Sequence, residues 1–260
     1  MRSTTEVHTV FHLAHHGLSK KAIARLTGIS RATVRDWLTH GETAVLNRPM
    51  RLRSGARPRA PCPQPCSSRS GLDQPAYAYL LGQYLGDGCI SEIHRNFRLR
   101  IACCDAYPNI MEECVAAIGA VLPCVRVGRV QSVGCTEIYA TSFHWPCLFP
   151  QHGPGRKHER PIVLEDWQVA IALDGHPDRF VRGLIQSDGC RFINRVRGAN
   201  GLPYAYPRYT FTNHSSDIRA LFGEVCDRLG VEWRQMNRYN LSVARRGSVA
   251  ILDRLVGPKT

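Results

Sequence analysis

The sequence predicts an α+β protein in which an internal repeat follows a small all-α domain. Two similar nonapeptides, LLGQYLGDG at residues 80–88 and VRGLIQSDG at residues 181–189, recur at domain-scale spacing. Near the N-terminus, apolar residues interrupted by two breaks are typical of three short helices, and after the first nonapeptide a strand alternates apolar residues with arginine. The predicted regions are 1–42, a linker at 43–75, and two halves at 76–175 and 176–260.

The N-terminal residues have the spacing of a helix-turn-helix. Ser19 and Ser30 are placed to cap helices at residues 20–27 and 31–39, and Gly28 suits the tight turn between them. The pattern is similar to the small DNA-binding modules of transposases, resolvases and repressors, which place their second helix in the major groove. The resemblance implies DNA contacts from three residues of that helix, Arg31, Thr33 and Arg35. The alternative is a plain helical hairpin whose arginines are solvated.

Positive charge is concentrated in the first part of the chain. The net charge is +13, and residues 1–70 carry 12 Lys or Arg against 3 Asp or Glu. This balance favours a polyanionic partner. The Pro, Arg and Ser content of residues 43–75 indicates an extended basic linker. Within it, Cys62 and Cys66 are either free thiols or the remnant of a zinc knuckle.

The sequence shows no leader peptide and no apolar run near the roughly 18 residues that a membrane span needs. We therefore expect a cytoplasmic protein. The 11 cysteines, most of them single and in apolar surroundings, are expected to be reduced.

Both nonapeptides predict a helix with small residues four positions apart, which lets two helix backbones approach closely. These residues are Gly82 and Gly86 in the first and Gly183 and Ser187 in the second. A glycine follows each acid and suits the left-handed residue that commonly closes a helix. Asp87 and Asp188 then meet at the negative ends of two helix dipoles, where they repel each other unless divalent cations lie between them. The pattern indicates a metal site.

At these residues the chain resembles the LAGLIDADG, or dodecapeptide, homing endonucleases in their two-motif single-chain form. The matching positions are Gly82, Asp87 and Gly88, and then Gly183, Leu184, Ile185, Asp188 and Gly189. The resemblance implies two fused αββαββα halves, with the motif helices at a pseudo-two-fold interface and two sheets over a DNA duplex. The alternative is two unrelated helices that each end in Asp-Gly.

The resemblance further implies a monomeric, site-specific double-stranded DNA endonuclease that uses Mg²⁺ or Mn²⁺. Asp87 and Asp188 would bind the metal, and the backbone carbonyls of Gly86 and Ser187 would be possible extra ligands. The metal would promote in-line hydrolysis of a phosphodiester bond.

A basic residue near each scissile phosphate is also implied. Lys157 and Lys259 follow Gly-Pro stretches and lie 70 and 71 residues after their aspartates, although either is equally a candidate surface lysine. Asp105 and Asn213, each just after a predicted strand, are weaker candidates for positioning water.

The predicted strands indicate where DNA would lie. Arg98 and Arg100 alternate with apolar residues, so one face of that strand is cationic. In the second half, Arg191, Arg195 and Arg197 share a face, and Arg208, Thr210 and Thr212 share a face of the next strand. An antiparallel sheet with one basic face suits the major groove, whereas a merely solvated face is the alternative.

In each half, the sequence also predicts a helix after the arginine-bearing strands. The first is expected from Pro108 to Ile118, stopped by Gly119. The second is expected to be capped by Ser215 or Ser216 and stopped by Gly230.

Two other functions compete with the nuclease. One is a DNA-binding transcriptional regulator derived from such an enzyme, which the N-terminal module and the use of the resembled fold in some transcription factors favour. Both acids are present, which favours the enzyme, whereas Gln83 and Gln186 are polar departures within the motifs. The other is a transposase or integrase, whose acids sit on strands of a ribonuclease-H-like sheet. Here the acids end helices, which disfavours that possibility.

Overall fold

The structure is a computed structural model that describes residues 4–46, 69–94, 96–197, 201–257 and 259. The chain divides into two compact units, residues 1–59 and 60–260. The division falls inside the predicted linker. Cys62, Cys66 and most of that linker lie outside the described residues.

The first unit is helical, with α1 at Thr4–His15, α2 at Lys20–Thr27, α3 at Arg31–His40 and α4 at Glu42–Leu46. Ser19 and Ser30 accept hydrogen bonds from the backbone N–H groups of Ala22 and Thr33, and so cap α2 and α3. Gly28 has φ +67°, the left-handed conformation that the turn requires. These caps and bounds agree with the predicted helices. The prediction of an extended linker from residue 43 is wrong at its start, because α4 forms there and its Val45 packs on the core.

The second unit begins with a helix–strand–strand–helix–strand–strand–helix series. Its elements are α5 Gln74–Leu85, β1 Gly88–Ile93, β2 Asn96–Cys104, α6 Pro108–Val121, β3 Val127–Ser132, β4 Cys135–Ser142 and α7 Trp145–Leu148. The short helix α8, Asp166–Val169, and a π-helical turn, Ala170–Gly175, lead into the next series. That series has the same order of elements: α9 Pro177–Asp188, β5 Gly189–Arg197, β6 Pro203–Thr212, α10 Ser216–Arg228, β7 Arg234–Gln235, β8 Asn240–Val243 and α11 Arg246–Val256.

The two series build sheets of the same topology. Strand order is β1-β2-β4-β3 in one antiparallel sheet and β5-β6-β8-β7 in the other. The prediction of an α+β fold with an internal repeat is thereby confirmed. The β5–β6 hairpin extends well past its neighbour, since β6 pairs with β8 only over residues 209–212.

Helix α5 lies at the centre of this unit. Its residues from Tyr77 to Leu85 are all buried, although Tyr77, Tyr79, Gln83 and Tyr84 carry polar groups. A helix that is buried on every side must pack against both halves, and α9 is its main partner. Each buried tyrosine hydroxyl and amide therefore needs a partner inside the protein.

The α5–α9 contact is made backbone to backbone at the glycines. A methyl carbon at Gly82 would lie 2.7 Å from both the backbone nitrogen of Leu184 and the carbonyl oxygen of Phe180. A methyl carbon at Gly183 would overlap the carbonyl oxygen of Tyr79. The predicted close approach of the two helices is thus present, and a side chain at either position would force the helices apart.

The role assigned to the glycine after each acid is wrong. Gly189 has φ −97° and Gly88 also lacks a positive φ, so neither is a left-handed helix cap. Instead, a methyl carbon at Gly88 would lie 2.5 Å from the Cα of Tyr84, and one at Gly189 would lie 2.7 Å from the Cα of Ile185. Glycine is needed because each first strand residue packs on the last turn of its motif helix.

The two helices predicted after the strands are both present. Ser215 caps α10, and Gly230 follows it with φ +66°, as expected. The predicted stop at Gly119 is wrong, because α6 continues to Val121. Gly119 costs helix propensity but breaks no packing, since a methyl carbon there would meet nothing within 4 Å.

Within the described residues, no helix is long and apolar enough to cross a membrane.

The glycine contact predicts a contrast between two substitutions in helices. Gly82→Ala should destabilise the protein by about 1–3 kcal/mol, because the new methyl group meets backbone atoms of α9 that have no room to relax. Gly119→Ala should instead stabilise it by up to about 1 kcal/mol, because alanine favours the helix more than glycine does. Urea unfolding of the three proteins tests both signs, and equal effects at the two sites would contradict the packing described above.

Candidate functional site

The two acids of the motifs meet at one end of the α5–α9 contact. Asp188 is the last residue of α9, and Asp87 lies two residues after the end of α5. A methyl carbon at Gly86 would lie 3.2 Å from Oδ2 of Asp188, so the second acid reaches across to the first motif. Asp87 retains contact with solvent, whereas Asp188 is half-buried. The prediction that the motifs bring Asp87 and Asp188 together agrees with this geometry.

The surroundings of the two carboxylates favour their protonated forms. Loss of solvation raises the pKa of Asp87 above its ordinary value, and the nearby ammonium groups of Lys157 and Lys259 oppose the change. Loss of solvation raises the pKa of Asp188 to about 6, and the negative charge of Asp87 adds to the rise. Two partly desolvated carboxylates in mutual repulsion form a site that gains free energy from bound cations.

Lys157 and Lys259 both reach this site. The Nζ of Lys157 donates to the carbonyl oxygens of Tyr84, Gly86 and Gly88, at 2.6, 2.5 and 2.9 Å. The Nζ of Lys259 lies 2.5 Å from the carbonyl oxygen of Gly189 and 3.5 Å from that of Ser187. Each lysine therefore contacts the carbonyl groups where its own motif passes from helix to strand.

Burial favours the neutral form of both lysines, although the two acids oppose this effect. Loss of solvation lowers the pKa of Lys157 to about 8, while Asp188 and Asp87 raise it. The pKa of Lys259 is lowered for the same first reason. Lys157 therefore remains a cationic donor at neutral pH, held beside the acids.

The oxygen atoms at the helix ends fit a hard divalent cation. The available donors are two carboxylates and the carbonyls of Gly86 and Ser187, and oxygen ligands are those that Mg²⁺ and Mn²⁺ prefer. Lysine ammonium groups already lie on these carbonyls, so the carbonyls attract positive charge. No group of three or more His, Cys, Asp or Glu side chains forms a metal cluster among the described residues. A metal here would thus take its remaining ligands from water and from phosphate, as Mg²⁺ commonly does.

The two weaker candidates for positioning water, Asn213 and Asp105, have different hydrogen-bond partners. Asn213 donates from Nδ2 to Oδ2 of Asp188 at 2.6 Å, so it orients that carboxylate. Asp105 instead accepts a hydrogen bond from Thr136 at 2.7 Å. Strand register pairs Gly88 with Ile101 and Gly189 with Phe211, which makes Cys103 the counterpart of Asn213 in the first half. The two acids consequently have different neighbours.

A buried polar network next to the acids was missed by the sequence analysis. The hydroxyl of Tyr79 donates to Oε1 of Gln186 at 2.6 Å and accepts from Nε2 of Gln83 at 2.9 Å. Nε2 of Gln186 lies 3.3 Å from Oε2 of Glu113 on α6. The two glutamines that depart from the motif pattern are therefore partners across the helix contact. Their sequence separation of 103 residues left no local signal of this pairing.

Arg98, Arg100 and Arg208 lie on the sheet faces turned away from the core. Arg98 and Arg100 alternate with the buried Leu99 and Ile101 on β2. The guanidinium of Arg98 lies 4.7 Å from the centre of the Tyr139 ring, and Arg208 donates to the hydroxyl of Tyr206 at 2.7 Å. In all three arginines the buried Nε has no acceptor among the described residues.

Arg191 lies on the opposite face of its sheet from Arg208. It pairs across the strands with Tyr209, whose side chain is buried, and binds Asp253 of α11 through Nε and Nη2 at 2.7 and 2.9 Å. Strand alternation puts Arg195 and Arg197 on the Arg191 face and Phe192 on the Arg208 face. The arginines that were expected to form one basic surface on this hairpin are therefore separated.

In the helical unit, Arg31 and Arg35 are exposed on α3. The hydroxyl of Thr33 lies 2.8 Å from that of Ser30, so it belongs to the helix cap.

A cavity of about 780 Å³ opens beside Asp188 and the first sheet. Its lining includes Asp188, Asn213, Lys157, Arg100, Arg156 and Arg160. The whole lining holds four Lys or Arg against two acids, Asp188 and Glu92, which makes the cavity suited to a phosphate chain.

No protein-family model matches the chain, and none of the curated proteins matches it. Among solved structures, it is similar to I-DmoI in complex with DNA and Mn, with 15% identity and a TM-score of 0.48 over 72% of this chain and 99% of that chain. It is also similar to the LAGLIDADG meganuclease I-AabMI bound to uncleaved DNA, with 12% identity and a TM-score of 0.45 over 69% and 82% of the two chains. A third similar structure is the homing endonuclease I-WcaI bound to its DNA recognition sequence, with 13% identity and a TM-score of 0.45 over 73% of this chain and 84% of that chain.

Its structural neighbours are LAGLIDADG homing endonucleases. The identities are low, so the function has to be inferred from the geometry of the site.

The raised pKa of Asp188 predicts a pH-dependent stability in metal-free protein. The folded state holds this proton more tightly than the unfolded chain, so the stabilisation present below pH 3.8 is lost as the pH rises to about 6. Asp188→Asn should remove that loss, whereas Asp166→Asn, at an exposed position on α8, should retain it. The measurement is urea unfolding across this pH range. Parallel profiles for wild type and Asp188→Asn would contradict the assignment.

Proposed function

We propose that the protein is a site-specific double-stranded DNA endonuclease of the LAGLIDADG type, in which Asp87 and Asp188 hold Mg²⁺ or Mn²⁺. The observation that carries the proposal is the meeting of two partly desolvated acids and two lysine ammonium groups at one end of a glycine-lined helix contact. Packing alone does not call for this arrangement, because it leaves like charges together in a partly buried place. A phosphodiester with bound divalent ions satisfies both pairs of groups.

The residues of the site divide the work between them. When bound, the divalent ion supplies Lewis-acid stabilisation of the phosphate and a more acidic water. Asp87 and Asp188 hold that ion, and Asn213 fixes the orientation of Asp188. Lys157 and Lys259 place positive charge where a phosphate gains negative charge during cleavage. One acid and one lysine come from each half, which suits the cutting of two strands.

DNA is proposed to lie along the outer sheet faces. Arg98, Arg100 and Arg208 place guanidinium groups on these faces, and phosphate oxygens and guanine edges are strong acceptors for arginine. Arg191 is excluded from this surface because Asp253 binds it on the opposite face.

The helical unit is proposed as a second DNA-binding element. Arg31 and Arg35 project from α3, the helix that enters the major groove in helix-turn-helix proteins. A short helix reads few bases, so it would add affinity and register to a longer contact. We propose that one chain suffices, because its two halves supply both acids.

Cleavage of a random-site DNA library in Mg²⁺, followed by sequencing of the cut ends, tests the nuclease. The wild type should cut a defined set of sites on both strands. Asp87→Asn and Asp188→Asn should each reduce cleavage by about a thousandfold or more, since the affected acid no longer holds a divalent ion. Cleavage that survives in the Asp87→Asn, Asp188→Asn double variant would overturn the assignment.

The same library also tests the competing proposal of a DNA-binding regulator. Specific binding of the wild type without cutting, in both Mg²⁺ and Mn²⁺, would identify a DNA-binding regulator.

The two faces of the β5–β6 hairpin predict different effects on DNA binding. Arg208→Ala should weaken binding to the selected duplex by about 1–3 kcal/mol, because a donor to DNA is lost. Arg191→Ala should leave the affinity within about 0.5 kcal/mol and instead lower the stability of the protein, because Asp253 loses its cationic partner and keeps only the hydrogen bond from Tyr209. Fluorescence anisotropy at several salt concentrations and urea unfolding make the comparison. Equal losses of affinity would place DNA on both faces.

A further inference from the structure

Both site lysines belong to segments that regular structure does not hold. Lys157 begins a single 3₁₀ turn, Lys157–Glu159, and Lys259 follows the end of α11. In each case a left-handed glycine lies two residues earlier: Gly155 has φ +74° and Gly257 has φ +68°. Backbone of this kind has many alternative conformations, so its position requires contacts from elsewhere.

Burial makes this requirement stricter. A lysine side chain gains solvation by swinging outward, and the site lowers the pKa of both ammonium groups because it desolvates them. The ammonium groups form their hydrogen bonds to the motif carbonyls only while the backbone of each lysine is held close to the acids.

Arg182 holds the second of these segments. It lies on α9, five residues before Ser187, and its Nη1 donates to the carbonyl oxygen of Val256 and lies 3.5 Å from that of Leu255. These carbonyls end α11 directly before Gly257. The segment that carries Lys259 is thus fastened to the same helix whose end it contacts.

Glu113 fixes the guanidinium of Arg182 from the first half. Arg182 donates to both carboxylate oxygens, with Nε 2.8 Å from Oε1 and Nη2 2.8 Å from Oε2. Arg179 and Gln186 donate to the same carboxylate. A guanidinium held on both sides in this way has a defined direction and is already occupied by protein acceptors.

Arg160 holds the first segment by the same kind of contact. Its Nη1 donates to the carbonyl oxygens of Pro154 and Gly155, at 3.2 and 3.0 Å, and its Nε donates to that of Gln151 at 3.2 Å. The side chain of Gln151 is buried and donates to the carbonyl oxygen of Val163 at 2.7 Å. The loop before Lys157 is therefore tied to a fixed point of the core.

We infer that Arg160 and Arg182 are positioning residues, each of which holds the backbone of one lysine so that its ammonium group reaches the acids. Arg160 serves Lys157 and Arg182 serves Lys259. Neither arginine contacts the reacting phosphate in this assignment. The inference rests on the proposed nuclease for its effect on cleavage, but the holding of each lysine is a property of the protein alone.

The first test needs no nuclease activity. Full-length protein is treated with an amine-acetylating reagent, and acetylation of each lysine is followed by peptide mass spectrometry. Arg182→Met should increase the rate at Lys259 about tenfold and leave the rate at Lys157 unchanged, and Arg160→Met should do the reverse, because each lysine loses only its own tether. Arg129→Met, which breaks the exposed pair with Glu112, should change neither rate. Unchanged rates at the paired lysines would overturn the inference whether or not the protein cuts DNA.

The second test measures cleavage of each DNA strand in a single turnover with differently labelled ends. Lys259→Met and Arg182→Met should slow the same strand, and Lys157→Met and Arg160→Met should slow the other one. We expect each arginine variant to slow its strand about ten- to a hundredfold, since a misplacement of about 1 Å has effects of this size. Binding to the duplex should stay unchanged in Arg182→Met, and Arg182→Lys should recover part of the rate.

Two results would contradict the inference. Equal slowing of both strands by Arg182→Met would indicate a general loss of structure. A weaker affinity for DNA with an unchanged rate would make the arginines direct DNA contacts. If the wild type cuts neither strand while the acetylation pattern is as expected, the nuclease proposal fails and the positioning of the lysines stands.

Discussion

The close approach of α5 and α9 is the constraint on which the site depends. Backbone atoms of Gly82 and Gly183 lie against each other because neither position carries a side chain. The two helices therefore end side by side, and the residues that follow them, Asp87 and Asp188, reach one place. A single methyl group in the contact would force the helices apart and so shift the acids relative to each other.

The protein keeps this arrangement by surrounding it with neutral or paired groups. Tyr79, Gln83 and Gln186 satisfy one another inside the helix contact, so their burial leaves no donor without an acceptor. The surroundings of the acids and lysines, by contrast, disfavour their charged forms. Loss of solvation and repulsion raise the pKa of Asp188, and the same burial lowers that of Lys157. Strain of this kind is typical of functional sites, where a ligand relieves it.

Much of the fold could be predicted because its signals are local. Ser19, Ser30 and Gly28 set the ends of two helices within a few residues, and the small residues of each nonapeptide mark the contact face directly. The acids could be proposed because the motif recurs, and the lysines because each follows a Gly-Pro stretch at a similar distance from its acid. Where a local rule has two physical explanations, the prediction was wrong: Gly189 is small because it packs on Ile185, and Gly119 lies inside a helix that continues past it.

Contacts between distant parts of the chain could not be predicted. The alternation of residues on β5 correctly groups Arg191 with Arg195 and Arg197 on one face. It does not show which face meets the core, because that depends on the pairing with Tyr209 and on the position of Asp253. Glu113 and Arg182 are 69 residues apart, and neither is part of a motif. The arginines that hold the lysine segments belong to this class, because the fold alone brings them to their carbonyls.

The unlike neighbours of the two acids have an evolutionary consequence. Asn213 touches Asp188, whereas its counterpart in the first half is Cys103, and the hairpin of the second half is the longer one. Two identical subunits could not differ in this way, because any mutation would appear in both. In a single chain, a mutation changes one half at a time. The DNA target of the proposed nuclease therefore need not be a palindrome.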